Sequence, residues 1–210
     1  MKPLQEHYPK ELYKQLGYWG TWLPSNKLQL GDIGILEDGV FLKVSTLNAQ
    51  GIEFEAMLRS GTTSHEYTSQ GTLSLLTGLT GSTNEKEAQH SSASGIRIDF
   101  KNENSIYFRV NKAKTRGIEN MVELEKEIIQ RQANGTWQKE WVFVSEIVHA
   151  QETLVLVSRE KGASAEFELD ANIKKPVNLN VGVHHKMVYE RKLAYKMQSD
   201  SKTCLLYTSP

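Results

Sequence analysis

Two stretches of the chain carry the most regular apolar pattern. From Trp141 to Val157 the sequence WVFVSEIVHAQETLVLV is dense in Val, Ile, Leu, Phe and Trp. A polar corner follows at Arg159-Glu160-Lys161-Gly162, and then a shorter run alternates strictly. Ala163, Ala165, Phe167 and Leu169 hold one parity, and Ser164, Glu166, Glu168 and Asp170 the other. β-Branched and aromatic residues at a two-residue period predict strand, turn, strand. At about 3.3 Å per residue the first run would extend roughly 55 Å, about three times an ordinary strand. A second pattern of the same kind runs from Gly95 to Val110, GIRIDFKNENSIYFRV, where Ile96, Ile98, Phe100, Ile106, Phe108 and Val110 share even parity. The parity survives the polar Lys101 to Ser105 interruption, which predicts one long strand or two collinear ones.

The remaining elements are shorter. Pro9 is expected to open a helix with Leu12, Tyr13 and Leu16 on one side and Gly17 at its end. An aromatic loop follows, Tyr18-Trp19-Gly20-Thr21-Trp22, which reads either as a plug of core aromatics or as an anchor at a membrane interface. Lys27 to Leu36, Val40 to Leu47 and Ile52 to Leu58 read as strands, joined by an Asp38-Gly39 hairpin turn and a second turn at Asn48 to Gly51. Thr62 to Ser94 is rich in Ser, Thr and Gly. Its first half, including Leu73 and Leu75, is expected to pair with Gly95 to Val110, leaving Gly78 to Gly95 as a mobile tip. Arg116 to Gln132 reads as a helix with Ile118, Met121, Val122, Ile128 and Ile129 on its buried side. Val177 to Val183 and then Met187 to Met197 complete the sheet, with Val188, Leu193 and Tyr195 pointing inward. The fold class expected is α+β: a twisted, mostly antiparallel sheet with long β-hairpins and a few packing helices.

Composition narrows the function. With 25 basic and 25 acidic residues the formal net charge is zero, so bulk charge makes no case for nucleic acid. No run approaches the roughly 20 apolar residues of a membrane-spanning helix, and MKPLQEHYPK lacks the apolar core of a secretory signal. The lone Cys204 excludes an internal disulfide and a cysteine zinc cluster. It sits in SKTCLLYTSP, which resembles the adapter-derived ending of some assembled environmental sequences. Residues 199–210 are therefore expected to be a non-native or disordered tail, with the natural C-terminus missing. GLTGSTNEK at Gly78 lacks the spacing of a phosphate loop. The six histidines show no i, i+4 pairing, and Ser145 and His149 lie on a strand without nucleophile-elbow glycines. No catalytic residue, cofactor site or metal site is expected, and the chain does not read as an enzyme.

Several local sequences resemble the bacterial gasdermins. Leu12-Tyr13-Lys14-Gln15-Leu16-Gly17-Tyr18 followed by Leu23-Pro24 is similar to the opening of that family. Lys101 to Phe108 is similar to its long central strand. Leu124 to Gln130 leading into Trp141 to Val148 is similar to its helix and following strand, and Glu160 to Phe167 to the turn and return after it. The resemblance covers Tyr8 to Met197. The chain departs from the family in having no cysteine within Met1 to Pro9, where bacterial gasdermins carry a lipidated one. The autoinhibitory segment that a protease removes in that family is expected to be absent here or replaced by the tail.

The resemblance implies a pore-forming domain over residues 1–198 that executes cell death in prokaryotic antiviral defence. Its partners would be membrane lipids, an activating protease and other copies of itself. It would be a cytoplasmic monomer while inhibited and a large homo-oligomeric β-barrel in the inner membrane once released. The membrane-contacting residues would be Tyr18, Trp19, Trp22, Leu73, Leu75, Ile96, Ile98, Phe100, Ile106, Phe108, Phe143, Ile147, Val155, Val157, Phe167 and Leu169. Lys43, Arg59, Lys112, Lys114 and Arg116 would meet anionic headgroups. The alternative is a soluble β-rich binding or structural domain without membrane activity, its long strands curling around a sandwich.

Overall fold

A computed structural model describes residues 4–21, 28–77, 95–168 and 186–209. It is mixed α+β with mostly antiparallel sheet. The chain runs α1 (Leu4–Leu16), β1 (Trp19–Gly20), β2 (Asp32–Glu37), β3 (Val40–Thr46), a 3-10 turn (Asn48–Gln50), β4 (Ala56–Leu58), β5 (Thr63–Thr68) and β6 (Thr72–Thr77). It continues β7 (Gly95–Phe100), β8 (Ile106–Ile118), α2 (Met121–Ala133), β9 (Trp141–Ser158), β10 (Ala163–Glu168), β11 (Lys186–Arg191) and β12 (Leu193–Ser209). Two compact units divide it: residues 1–65, 110–151 and 201–210 form one, and residues 66–109 and 152–200 the other.

In the first unit the sheet follows β1-β12-β9-β2-β3, with β8 beside β9 and carrying β4 and β5. Asp38 and Gly39, both with positive φ (52° and 89°), turn β2 into β3. That is the hairpin geometry an Asp-Gly pair favours. The helix α1 starts at Leu4 rather than at Pro9, so Pro9 sits in its second turn. Burial of Tyr8, Pro9 and Leu12 compensates for the missing N–H. Gly17 ends the helix in the left-handed region, its N–H donating to the Tyr13 carbonyl at 2.9 Å. The second helix begins at Met121, not Arg116, because Arg116, Gly117 and Ile118 pair with Leu58, Met57 and Ala56 as strand. Leu124 and Ile128 are its buried residues, while Val122 and Ile129 are exposed. Ile33, Leu47, Ile52, Ile118, Trp137 and Phe143 close the core around that helix. Residues 201–209, expected to be a tail, form the end of β12, where Leu205 and Leu206 pair with Gly20 and Trp19.

The second unit holds a four-stranded antiparallel sheet in the order β11-β10-β7-β6. Two expectations are corrected here. The expected hairpin of β9 with β10 does not form: β9 pairs elsewhere, and β10 pairs with β7 and β11. Of the one long strand or two collinear ones expected over Gly95 to Val110, two strands form, but in different sheets and turned at Asn104 (φ 55°). Ser158 holds that corner. Its Oγ donates to the Asn102 carbonyl at 2.8 Å and accepts from the Ser105 N–H at 2.9 Å. Asn104 N–H in turn donates to the Ser158 carbonyl at 3.1 Å. Met187 and Leu193 pack on this unit's core, whereas Val188, expected inward, is exposed. The strand expected over Val177 to Val183 and the tip at Gly78 lie outside the described residues.

Candidate functional site

The two central strands of the four-stranded sheet, β7 and β10, have two chemically opposite faces. On the inner one Phe100, Ile98 and Ile96 stand directly opposite Ala163, Ala165 and Phe167, all at most 1% exposed. They pack on Tyr107, Leu154 and Leu156. On the outer face Arg97 stands opposite Glu166 and Asp99 opposite Ser164. The Arg97 guanidinium pairs with Asp99 and Glu166, each at 2.8 Å, and Asp99 beside it raises its pKa. The alternation read from the sequence thus separates an apolar face from a polar one, on which Arg97, Asp99 and Glu166 are ion-paired and Ser164 is buried.

The strand ends align. Thr77 pairs with Gly95, Gly95 with Glu168, and Glu168 with Lys186, so four strands finish in one row. From that row depart residues 78–94 and 169–185, two connections of seventeen residues each. The strands therefore form two neighbouring hairpins, β6–β7 and β10–β11, opening toward the same end of the sheet.

Among the other sequence candidates, Ile106, Phe108, Val155 and Val157 are fully buried, and Phe143 and Ile147 are buried in the first unit. Strand β9 is buried on both parities from Phe143 to Val148 and again from Thr153 to Ser158. It is therefore a central core strand and not the two-faced ribbon expected of it. Leu73 and Leu75 stand opposite Asp99 and Arg97 in the register, while Leu76 stands opposite Ile96. Trp22 and Leu169 lie outside the described residues.

No family model and no curated protein matches the chain. The site must be read from its own geometry.

In the first unit the aromatic loop is bound to a buried carboxylate. Tyr18 Oη donates to Glu146 Oε1 at 2.5 Å, and Arg59 pairs with Glu146 Oε2 at 2.6 Å. Burial, then the Glu146 acceptor and its charge, pushes the Tyr18 pKa up to about 12. Trp19 stacks on Tyr13 with ring centroids 4.1 Å apart and packs near Leu28, Val144 and Ile147. Tyr18, Arg59 and Glu146, with Gly117, Ile118, Met121 and Ser145, surround a cleft of about 320 Å³. Glu146 sits at a strand position where an apolar residue is the norm, and that was the available sequence signal for this cluster.

The expected headgroup cations divide. Lys43 is bound to buried Asp32 at 2.6 Å and Arg59 to Glu146. Lys112, Lys114 and Arg116 are all exposed on β8 and share one parity. Before Lys112 the even positions Ile106, Phe108 and Val110 are buried, and after it the odd positions Ala113 and Gly117 are. The left-handed Lys112 (φ 50°) accounts for the reversal, acting as a bulge that re-aims the strand. Arg116 lines a larger cleft of about 570 Å³ with His149, Asn48 and Gln29 over Leu28, Leu30, Phe54 and Ile147. Burial and then the Arg116 charge hold His149 below its ordinary pKa. Among the described residues no three His, Cys, Asp or Glu side chains converge on a metal position. No described helix is long and apolar enough to cross a membrane.

Proposed function

We propose that this chain is a gasdermin-like pore former, and that the four-stranded sheet of its second unit is barrel wall held in a folded form. The observation that carries this reading is the aligned row of strand ends beneath two adjacent hairpins. Only helices and closed barrels satisfy the backbone polar groups of a chain crossing lipid. A barrel wall needs one apolar and one polar face, and β7 and β10 carry both. Each of the four strands has six residues, short of the 9 to 11 or so that span hydrocarbon. Pairing extended into residues 78–94 and 169–185 would supply the rest. The inner residues Ile96, Ile98, Phe100 and Phe167 would exchange a protein core for lipid, while Arg97, Asp99 and Glu166 stay in water. Lys112 and Lys114 would supply headgroup contacts.

The test is dye release from vesicles containing anionic lipid, using the whole chain before and after limited proteolysis. Release is expected from the cleaved form. Ile98→Asn, which places an amide on the lipid face, should suppress it, with Ala165→Ser as the milder variant if folding suffers. Glu166→Gln on the lumen side should leave release within about twofold, given the depth dependence of polar groups on the two faces. Dye retained by both intact and cleaved chain refutes the reading.

A further inference from the structure

We infer that the cleft between residues 28–30 and strands β8 and β9 is a binding site for a small amphipathic carboxylate, a single negative charge on an apolar body. This is independent of the pore reading and concerns the first unit alone.

The size comes first. About 570 Å³ falls within the range of roughly 300–1,000 Å³ typical of small-molecule sites. The lining then sets the chemistry, because it is divided. Leu30, Phe54 and Ile147 present carbon, and Ile147 is almost fully buried at 2% exposure. Around this apolar floor stand Arg116, Asn48 and Gln29. An apolar floor with a few polar groups at its rim suits a ligand with an apolar body and one polar end.

Charge decides the polar end. The described residues lining the cleft include no Asp or Glu. Arg116 has no ion pair among the described residues, in contrast to Arg59 and Lys43, each neutralised by a buried carboxylate within 2.6 Å. One guanidinium fork matches one carboxylate in a bidentate pair. A phosphate monoester, close to two negative charges at neutral pH, would call for a second cation, and the other basic side chain of the lining, His149, is held toward its neutral form by burial and then by the Arg116 charge. The side-chain amides of Asn48 and Gln29 offer further N–H donors for the carboxylate oxygens. The fold fixes Arg116 firmly for this task, since its backbone pairs with Leu58 across β4 and β8.

Octanoate is the probe, with 1-octanol as the same tail without charge and acetate as the charge without tail. Calorimetric titration of the whole chain should show octanoate binding on the order of millimolar or tighter, with octanol and acetate at least about tenfold weaker. Arg116→Gln should weaken octanoate by about tenfold or more and leave octanol unchanged, while Lys126→Gln, exposed on α2, should match the parent chain. Both substitutions are at exposed positions, and circular dichroism will verify the fold. Equal octanoate binding by the parent and Arg116→Gln overturns the assignment, as does the absence of any octanoate binding. Arg116-dependent capture on anionic vesicles with no octanoate binding would also overturn it, placing Arg116 at a lipid surface instead. Dye release plays no part in these measurements, so the site and the pore reading can fail separately.

Discussion

Removing the carboxylate that holds the aromatic loop gives the sharpest prediction about stability. Glu146 is 8% exposed and accepts from Tyr18 and Arg59 on different oxygens. A hydrogen bond to a buried charge contributes about 1.5–3 kcal/mol, whereas a pair with an exposed partner contributes about 0–1 kcal/mol. The Arg59 side chain is 61% exposed, so the Tyr18 contact should dominate. A double-mutant cycle of Tyr18→Phe with Glu146→Gln should return a coupling of about 2 kcal/mol, and the cycle with Arg59→Gln less than about 1 kcal/mol. Urea unfolding followed by tryptophan fluorescence is the assay. The described tryptophans, Trp19, Trp137 and Trp141, all belong to the first unit, so the signal reports the unit that contains the cluster. The contact also sets an alkaline limb. Burial first, then the hydrogen bond that neutral Tyr18 donates to Glu146 and the repulsion of tyrosinate by that carboxylate, raises the phenol from 10.0 to about 12. Its contribution is therefore complete below pH 10 or so and is lost as pH rises from there toward 12. Tyr18→Phe should flatten that part of the stability curve. A coupling below about 0.5 kcal/mol, or an unchanged alkaline limb, would refute the reasoning.

Two further substitutions test the packing of each unit. At Gly34 a Cβ would lie 2.6 Å from the Leu42 carbonyl oxygen and 2.5 Å from Phe41, so Gly34→Ala should destabilise the first unit by about 1–3 kcal/mol. Tryptophan-detected urea unfolding checks this, and an unchanged midpoint contradicts it. Phe167→Ala empties a fully buried site between Ile96 and Met187, with an expected loss of about 3–5 kcal/mol. Amide hydrogen exchange along β7 and β10 should report it, and a loss below about 1 kcal/mol would show that the site collapses or is not packed as described.

The amino-acid sequence by itself determined whatever depends on neighbours along the chain. Asp38-Gly39 turns because two adjacent residues tolerate positive φ. Ile96, Ile98, Phe100, Ala163, Ala165 and Phe167 are buried because a strand sends alternate side chains to opposite faces. Gly17 ends a helix for a reason equally local. Tertiary structure decided which strand meets which. A two-residue period is the same whether β10 lies beside β9 or beside β7, so the apparent hairpin of Trp141 to Glu168 was a pairing that periodicity cannot assign. The same limit hid the double-sided burial of β9, since Ser145, Glu146 and Thr153 read as surface until the hydroxyls and carboxylate find partners in three dimensions. It also hid the reversal of faces at Lys112, which rests on one backbone angle and no residue type. Helical spacing places Val122 and Ile129 inward, yet it is Met121, Leu124 and Ile128 that pack on the core. Arg116 and Asn48, far apart in the chain, line one cleft because strand order and turns bring them together, and long-range contacts of that kind leave no periodic trace.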